Sequence, residues 1–237
     1  MDDGLGSRSD CGVKSLGGPL AELAGVTENR REGGPPRQRD VNGGVMIIAP
    51  YDSNWPDLFK TEAELLRSRL SRLVVRIEHV GSTSVSGLDA KPIIDIQVSV
   101  PTLQRLEVFE LPLTSLGYAH VPDPDPEFER IYPHFRKPAK RAATHHVHLC
   151  VASSDIERRH LAFRDYLRDH RDVAQEYGRL KHSLAARYGL QTRQARQEYT
   201  SAKGPFIEKI VAKALAAGYP GLKPQPASCG PHAPGFK

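Results

Sequence analysis

The clearest pattern of apolar and polar positions in this chain lies between Val74 and Val100. Two apolar runs, residues 74–80 and 93–100, flank a polar stretch that begins with Gly81–Ser84. Short runs of β-branched and other apolar residues that end at glycine and serine are typical of buried strands. The pattern therefore predicts two neighbouring buried strands joined through a small polar loop.

Apolar residues at helical spacing predict a helix on each side of these strands. The first follows Ser53 and Asn54, either of which can cap it, and carries Pro56 in its first turn. The second covers about 103–116, and we expect it to be interrupted near Pro112, because proline lacks the amide proton that a helix interior needs. Residues 45–48, ahead of the first helix, predict a short strand.

A proline-rich stretch follows, over residues 119–143. It predicts a long loop with edge strands at 130–132 and 135–137, on either side of Pro133. The sequence THHVHLCV, residues 144–151, alternates between polar and apolar side chains and predicts a further strand.

The rest of the chain has helical patterning. One helix is expected to begin near Ser154, a second to carry the apolar residues between Val173 and Leu184, and a third to extend from about 192 to 215. Strands that precede a block of helices favour an α+β fold over a doubly wound sheet.

Composition separates one domain from two flanking segments. Residues 1–44 contain no Phe, Trp or Tyr, so they cannot bury enough apolar surface to offset their chain entropy, and we predict that they are disordered. Residues 219–237 contain five prolines and predict a disordered tail. The folded domain is therefore expected to cover residues 45–218.

Charge and cysteine content restrict the class of protein. A net charge of +5 suits an anionic small molecule and is too small to indicate nucleic-acid binding by itself. Cys11, Cys150 and Cys229 are too few and too scattered for a disulfide framework. No apolar run approaches the roughly 20 residues that span a bilayer, and Asp2 and Asp3 argue against a signal peptide. We predict a cytoplasmic protein without a membrane partner.

Candidate chemistry begins with Asp95, which lies inside the second apolar strand. A buried carboxylate costs free energy unless a cation or hydrogen-bond donors are nearby, and such groups often mark functional sites. Gly81 lets the backbone approach a ligand, and Ser82, Thr83 and Ser84 add hydroxyl groups, so the loop is a candidate binding site for a phosphate group. The alternative is a tight turn in which Asp95 is bonded to loop amides.

Histidines supply a second candidate site. His146 and His148 are two residues apart on a predicted strand, so they share a face, with His145 on the opposite face. They could bind phosphate or each other through hydrogen bonds, line a polar cleft, or act as a general base.

Basic residues supply further candidates. Lys91, at the entry to the second strand, and Lys137, beside the proline-rich loop, could bind phosphate, although a solvated lysine is the alternative for Lys91. The arginines of the helix near Ser154 lie on more than one face and are predicted to be mostly exposed. His160 in the same helix is predicted to be a packed core residue.

Three motifs in this order resemble the GrpB family: IEHVGSTSV followed by AKPIIDI, then THHVHL, then RRHLAFRDYLR. The resemblance covers roughly Ile47 to Leu215. It implies a nucleotidyltransferase-like mixed β-sheet with flanking helices and a C-terminal helical block. Members of this family resemble a domain that is fused to dephospho-CoA kinase in some bacteria. This chain lacks the GxxxxGK[ST] loop, so it cannot itself be that kinase.

The resemblance implies that a nucleotide or another phosphorylated small molecule binds between the Gly81–Ser84 loop and Asp95. A divalent ion, Mg²⁺ or Mn²⁺, would bridge Asp95 to phosphate oxygens during nucleotidyl transfer. Active nucleotidyltransferases usually carry a second carboxylate two residues on, where this chain has Gln97, so the site would be under-charged for that mechanism.

The implied fold would also place the histidine strand beside Asp95. His146 and His148 would then complete a two-histidine, one-carboxylate set, which suits a transition metal better than magnesium. His79, on the strand before the loop, is a further candidate ligand. Two other functions remain open: a non-catalytic ligand-sensing or accessory module linked to the CoA pathway, and a histidine-based metal-dependent hydrolase.

Overall fold

The computed structural model describes residues 48–139 and 142–221. The predicted disordered segment at residues 1–44 and most of the predicted tail lie outside these ranges. The predicted first strand, residues 45–48, lies outside the described residues except for Ile48; the next residue, Ala49, pairs with Ala90 through a single antiparallel bridge.

Helices and strands alternate through the first part of the chain, and three long helices follow. In chain order the elements are α1 Trp55–Leu70, β1 Arg76–Val80, β2 Ile94–Val100, α2 Glu107–Ser115, β3 Ala119–His120, α3 Pro126–Ile131, β4 His134–Lys137, β5 His145–Val151, α4 Asp155–Asp169, α5 Arg171–Tyr188 and α6 Arg193–Ala216.

The strands form one mixed sheet in the order β1-β2-β5-β4-β3. Strands β2 and β5 are parallel, and the other neighbouring pairs are antiparallel. The two predicted buried strands and the THHVHLCV strand are therefore confirmed, as is the α+β class. The parallel register sets Asp95 beside His146 and Gln97 beside His148.

One face of the sheet is apolar and packs against α1 and α2. Alternate residues of β2 (Ile94, Ile96, Val98 and Val100) lie in this core together with Val147, Leu149 and Phe135 of the neighbouring strands. Helix α1 contributes Trp55, Leu66 and Leu70, each no more than 3% exposed. Burial at these positions follows from the two-residue period of a strand and supplies most of the hydrophobic stabilisation of the sheet.

A second apolar core lies among α4, α5 and α6. Val85 and Leu88, in the connection between β1 and β2, pack into it against Leu167, Tyr177 and Ile210. The helical block thereby holds the connection that begins at Gly81. Among the described helices, none is both long enough and apolar enough to cross a membrane.

The other face of the sheet is polar and is partly covered by α4. Glu157 is buried, and its carboxylate accepts hydrogen bonds from Arg76 of β1, from the Ser99 hydroxyl and from the Ser153 amide. Arg164 donates to Glu78 at 2.7 Å and to the backbone carbonyl of His79 at 3.0 Å. Exposure of the helix arginines was predicted, and it is wrong for Arg164, which joins α4 to the sheet.

Two local predictions are also wrong. Helix α2 continues through Pro112, since the proline removes one hydrogen bond while Leu113 is anchored in the core. Residues 130–132 belong largely to α3, because the Asp125 side chain caps that helix by accepting from two backbone amides and Pro126 opens it.

The first residue of the predicted tail contacts the helical block. Tyr219 donates a 2.7 Å hydrogen bond to Asp169, and its ring contacts the ring of Tyr166. The boundary between the domain and the tail remains a prediction.

Replacing Arg164 tests how strongly α4 is held to the sheet. Arg164→Met should lower the free energy of unfolding by about 2 kcal/mol or more, because it leaves Glu78 and a backbone carbonyl without their donor. Arg158→Met is the control, since Arg158 is exposed on the same helix and pairs only with exposed Asp155 among the described residues. Urea unfolding measures both; equal losses would contradict this role.

Candidate functional site

Gly81 and Asp95 are in direct contact. Gly81 has a φ of 68°, and a Cβ added there would overlap Oδ2 of Asp95 and lie 3.0 Å from its Cβ. A glycine is therefore required at this position for two reasons: the backbone conformation has a positive φ, and the carboxylate lies too close for a side chain. The predicted meeting of the Gly81 loop with Asp95 is what the structure shows.

The hydroxyl groups of the loop are mostly engaged within it. Thr83 donates to the Ile93 carbonyl at 3.1 Å and lies 3.0 Å from Nε2 of His79, and Ser84 donates to the Gly81 carbonyl at 2.6 Å. Ser82 is less buried and interacts with the Tyr177 hydroxyl. Thr83 and Ser84 therefore shape the turn, and Ser82 is the loop hydroxyl that is best placed to meet a ligand.

Asp95 lies between this loop and two histidines. Its Oδ1 is 3.2 Å from Nδ1 of His146 and 3.9 Å from Nε2 of His148, and its side chain remains 19% exposed. Burial alone would raise the pKa of the carboxyl group, but the two imidazoles hold that pKa well below its usual range. Asp95 is an ionised carboxylate at the edge of the polar sheet face.

Strand β4 adds a third histidine that the sequence analysis did not identify. His134 pairs in register with His148, and its ring lies 4.7 Å from the rings of both His146 and His148. One nitrogen from each of these three residues lies within 4.8 Å of the others. We call Asp95 and these three residues the histidine–aspartate cluster.

Six buried atoms of this cluster make no hydrogen bond of good geometry within the described part of the chain. They are Oδ1 of Asp95, Nε2 of His134 and both ring nitrogens of His146 and of His148. Oδ1 of Asp95 and Nδ1 of His146 face each other at 3.2 Å, so the other ring nitrogens are the ones that most lack a partner. An unpaired buried polar group costs about 1–3 kcal/mol, so a bound ion or ordered water that pairs with these atoms would stabilise the site.

Neighbouring aromatic and polar residues fix the orientation of the cluster. His148 is stacked between His134 on one side and Tyr132 on the other, with ring centres 4.7 Å and 5.0 Å away. Burial lowers the pKa of His148, with Asp95 partly opposing the effect, and burial lowers the pKa of His134 well below its usual value. Neutral imidazoles are the form that binds metal ions.

Gln97 is buried beside His148 in the position where a second carboxylate would lie. Its Oε1 is 2.9 Å from Nδ1 of His160, which donates to it. His160 is thus a packed residue, as predicted, and its contact with Gln97 ties α4 to the sheet. The nitrogen-rich cluster, rather than a pair of acids, dominates this face.

Three residues that the sequence analysis singled out lie elsewhere. Lys137 is on the apolar face and pairs with buried Glu62 at 2.9 Å, so its position does not support the predicted phosphate-binding role. His145 also lies on that face, as predicted. His79 is hydrogen-bonded to Thr83 and stacked on Phe59, and it does not join the cluster.

Lysines from distant parts of the chain meet near the loop. The ammonium groups of Lys91 and Lys203 lie 4.7 Å and 4.6 Å from the ring centre of Tyr199. Lys181 is buried, lies 4.9 Å from the ring centre of Tyr177 and donates to the Asp89 backbone carbonyl. We call these five side chains, Lys91, Lys181, Lys203, Tyr177 and Tyr199, the lysine–tyrosine cluster.

Burial makes these lysines weaker bases than usual. It lowers the pKa of Lys203 to about 7, with Lys91 adding to the effect and Asp95 opposing it, and it lowers the pKa of Lys91 to about 8. The field of Asp95 therefore reaches both ammonium groups. Lys91 was predicted to face an anion, whereas Lys181 and Lys203 were missed because they lie on helices far along the chain.

A family model described as GrpB protein matches residues 45–213, most of the chain. The chain belongs to the GrpB family. The predicted resemblance is thus confirmed, and the fold is consistent with the nucleotidyltransferase-like sheet that it implies.

Curated GrpB relatives are bacterial. A UPF0157 protein of Pseudomonas aeruginosa is 41% identical over 72% of this chain and 68% of its own length. The glutamate-rich protein GrpB of Alkalihalophilus pseudofirmus is 33% identical over 72% of this chain and 97% of its own length. The crystal structure of conserved protein GrpB from Enterococcus faecalis matches with a TM-score of 0.62 and 35% identity, over 72% of this chain and 98% of that chain.

A shorter similarity links this GrpB chain to a larger enzyme. Dephospho-CoA kinase of Mycobacterium bovis is 34% identical over 84 residues, which is 34% of this chain and 21% of the kinase. The similarity supports the predicted relation to kinase-fused domains and covers too little of the kinase to carry its activity.

Because Gly81 contacts Asp95, we expect alanine substitution at Gly81 and at Gly87 of this GrpB domain to change the free energy of unfolding by different amounts. Gly81→Ala should lower the free energy of unfolding by about 1 kcal/mol more than Gly87→Ala. Both glycines have positive φ, at 68° and 74°, but a Cβ at Gly87 would meet nothing within 4 Å. Chemical denaturation measures the difference. Similar losses for the two variants would show that Asp95 does not need the glycine.

Because Lys203 is buried, we expect the free energy of unfolding to depend on pH. The pKa of Lys203 is about 7 in the folded chain and near 10.4 when unfolded, so the unfolded chain binds the extra proton and stability rises with pH across that window. In phosphate-free buffer at pH 7, Lys203→Met should therefore be more stable than the wild type by about 2 kcal/mol.

The advantage of Lys203→Met should shrink as the pH rises from 7 towards about 10.4, above which the wild-type lysine is neutral in both states. Lys91, Lys181, Tyr199 and the more distant Asp95 surround Lys203, and each is unchanged in this comparison. Exposed Lys209 on the same helix provides the control, Lys209→Met. A Lys203→Met variant that is less stable than the wild type at pH 7 would contradict the burial of an uncompensated charge.

Proposed function

We propose that this chain is a metalloprotein that acts on a phosphorylated small molecule, of which nucleotides are one class. His134, His146 and His148 would hold a transition metal ion, and Asp95 would work beside it. The observation that supports the proposal is that one buried ring nitrogen from each of the three histidines lies within 4.8 Å of the others. A bound ion would offset the desolvation cost of the nitrogens that lack a partner among the described residues.

The donor set fits some ions better than others. Three neutral imidazole nitrogens suit zinc, iron, nickel or cobalt, whereas magnesium and manganese prefer sites that are rich in oxygen ligands. Three protein ligands also leave a position for water or substrate, as in catalytic zinc sites. The ligand set predicted from the sequence was Asp95 with His146 and His148. His134 is a third histidine beside that set.

We assign Asp95 to proton transfer because its carboxylate bridges two regions. One oxygen faces the histidines, and the other lies against Gly81, where a substrate phosphate would approach the loop. A transition metal bound by the histidines would lower the pKa of water and polarise a phosphoryl oxygen. Asp95 would accept a proton from water as the water oxygen bonds to phosphorus, and it would return that proton to the ester oxygen as the phosphorus–ester bond breaks.

Nucleotidyl transfer by two magnesium ions is less well supported. That mechanism needs several carboxylate oxygens around both ions, and Gln97 occupies the second position with its amide oxygen paired to His160. A non-catalytic ligand-sensing module, including one that serves the CoA pathway, would use the same residues without turnover. Turnover assays on the metal-loaded protein separate these functions.

Metal content tests the proposal directly. Protein purified without chelators, or reconstituted with zinc, iron, nickel or cobalt, should retain about one ion per chain by elemental mass spectrometry. Alanine at His134, His146 or His148 should release it, because each removes a ligand. His145→Ala is the matched control, since this neighbour faces the other side of the sheet and should leave the ion in place.

Asp95→Asn separates ion binding from chemistry. The variant should keep its ion while losing about 100-fold or more of any turnover of p-nitrophenyl phosphate or of a nucleotide panel. An ion lost equally from His145→Ala and His146→Ala would show adventitious binding and contradict the metal centre. Ligand-dependent thermal stabilisation without turnover in the loaded protein would favour the sensing module.

A further inference from the structure

The lysine–tyrosine cluster contains lysines that form no ion pair with a carboxylate in the described part of the chain. Neither Lys91 nor Lys203 has a carboxylate oxygen within ion-pair distance in the described ranges, 48–139 and 142–221. Lys203 is only 9% exposed. Burying an ammonium group costs several kcal/mol, whereas a cation–π contact with Tyr199 returns about 1–2 kcal/mol at most. The two ammonium groups lack most of their compensation.

A further unpaired group lies beside them on α6. Thr200 is 2% exposed, and its hydroxyl has no hydrogen-bond partner in the part of the chain that the structure describes. It precedes Lys203 by three residues, so both side chains share one face of the helix. An anion would accept hydrogen bonds from ammonium and hydroxyl groups alike.

The cluster adjoins the loop and the carboxylate described above. Tyr177, which neighbours Lys181, also interacts with Ser82 of the loop. The charge of Asp95 acts on both Lys91 and Lys203, so the two clusters lie within electrostatic range of each other.

We infer that Lys91, Lys203 and Thr200 form a subsite for a phosphate or diphosphate group that carries at least two negative charges. Two ammonium groups that lie against the same Tyr199 ring are matched in charge by a dianion, whereas a singly charged carboxylate would leave one of them uncompensated. Lys181 borders the subsite but already donates to the Asp89 carbonyl. The role of this subsite in a reaction rests on the proposed metal centre, but its anion binding does not.

Anion binding is measured by isothermal titration calorimetry on chelator-treated, full-length protein. Inorganic phosphate and pyrophosphate should bind, and acetate at the same ionic strength should not. Lys203→Met and Lys91→Met should each weaken phosphate binding by about tenfold or more, because each removes a charged donor. Lys209→Met, on the exposed side of α6, should remain within about twofold of the wild type.

The outcomes separate this inference from the metal proposal. Phosphate binding that is lost in Lys203→Met but kept in His146→Ala supports the subsite, whatever the metal content. No binding of phosphate or pyrophosphate, or equal weakening by Lys203→Met and Lys209→Met, overturns it even if one ion is retained by the histidines. Binding of acetate as tight as that of phosphate overturns the assignment to a dianionic group.

Discussion

The structure depends on one constraint: polar atoms on a buried sheet face must find partners. The sheet lies between an apolar core under α1 and α2 and a helical block with its own core. Part of the polar face is paired within the chain, through Glu157 and Arg164. Around Asp95, His146 and His148 the pairing is incomplete: Asp95 lies 3.2 Å from His146, and other ring nitrogens have no partner among the described residues. A bound ion or ordered water would supply the missing compensation.

The same constraint separates structural residues from functional ones among the conspicuous motifs of the sequence. In RRHLAFRDYLR, His160 and Arg164 bond to the sheet, so this motif holds the helical block in place. Gly81 serves the site by allowing the carboxylate of Asp95 to lie against the backbone. The strand histidines are paired only in part, through Asp95, and the lysines near Tyr199 are also compensated only in part. Incompletely paired groups thus mark the two regions where a ligand would bind.

Strand periodicity was sufficient to predict the buried strands and the shared face of His146 and His148. Their adjacency to Asp95 could not be read from periodicity, because it depends on the parallel pairing of β2 with β5 across about fifty residues of chain; the family resemblance supplied it. His134 was missed because β4 is short and follows Pro133, which gives it a weak strand signal. Lys203 was missed because a lysine within a long helix is usually exposed, and its burial arises from helix packing that local sequence does not encode.

A metal ion held by the histidines can be located by anomalous X-ray diffraction from crystals of the metal-loaded protein, with data collected on both sides of the absorption edge. We expect one anomalous peak bounded by the ring nitrogens of His134, His146 and His148, with Asp95 beside it. Ordered waters or hydrogen bonds among the imidazoles that satisfy all of these nitrogens, with no anomalous peak, would contradict it.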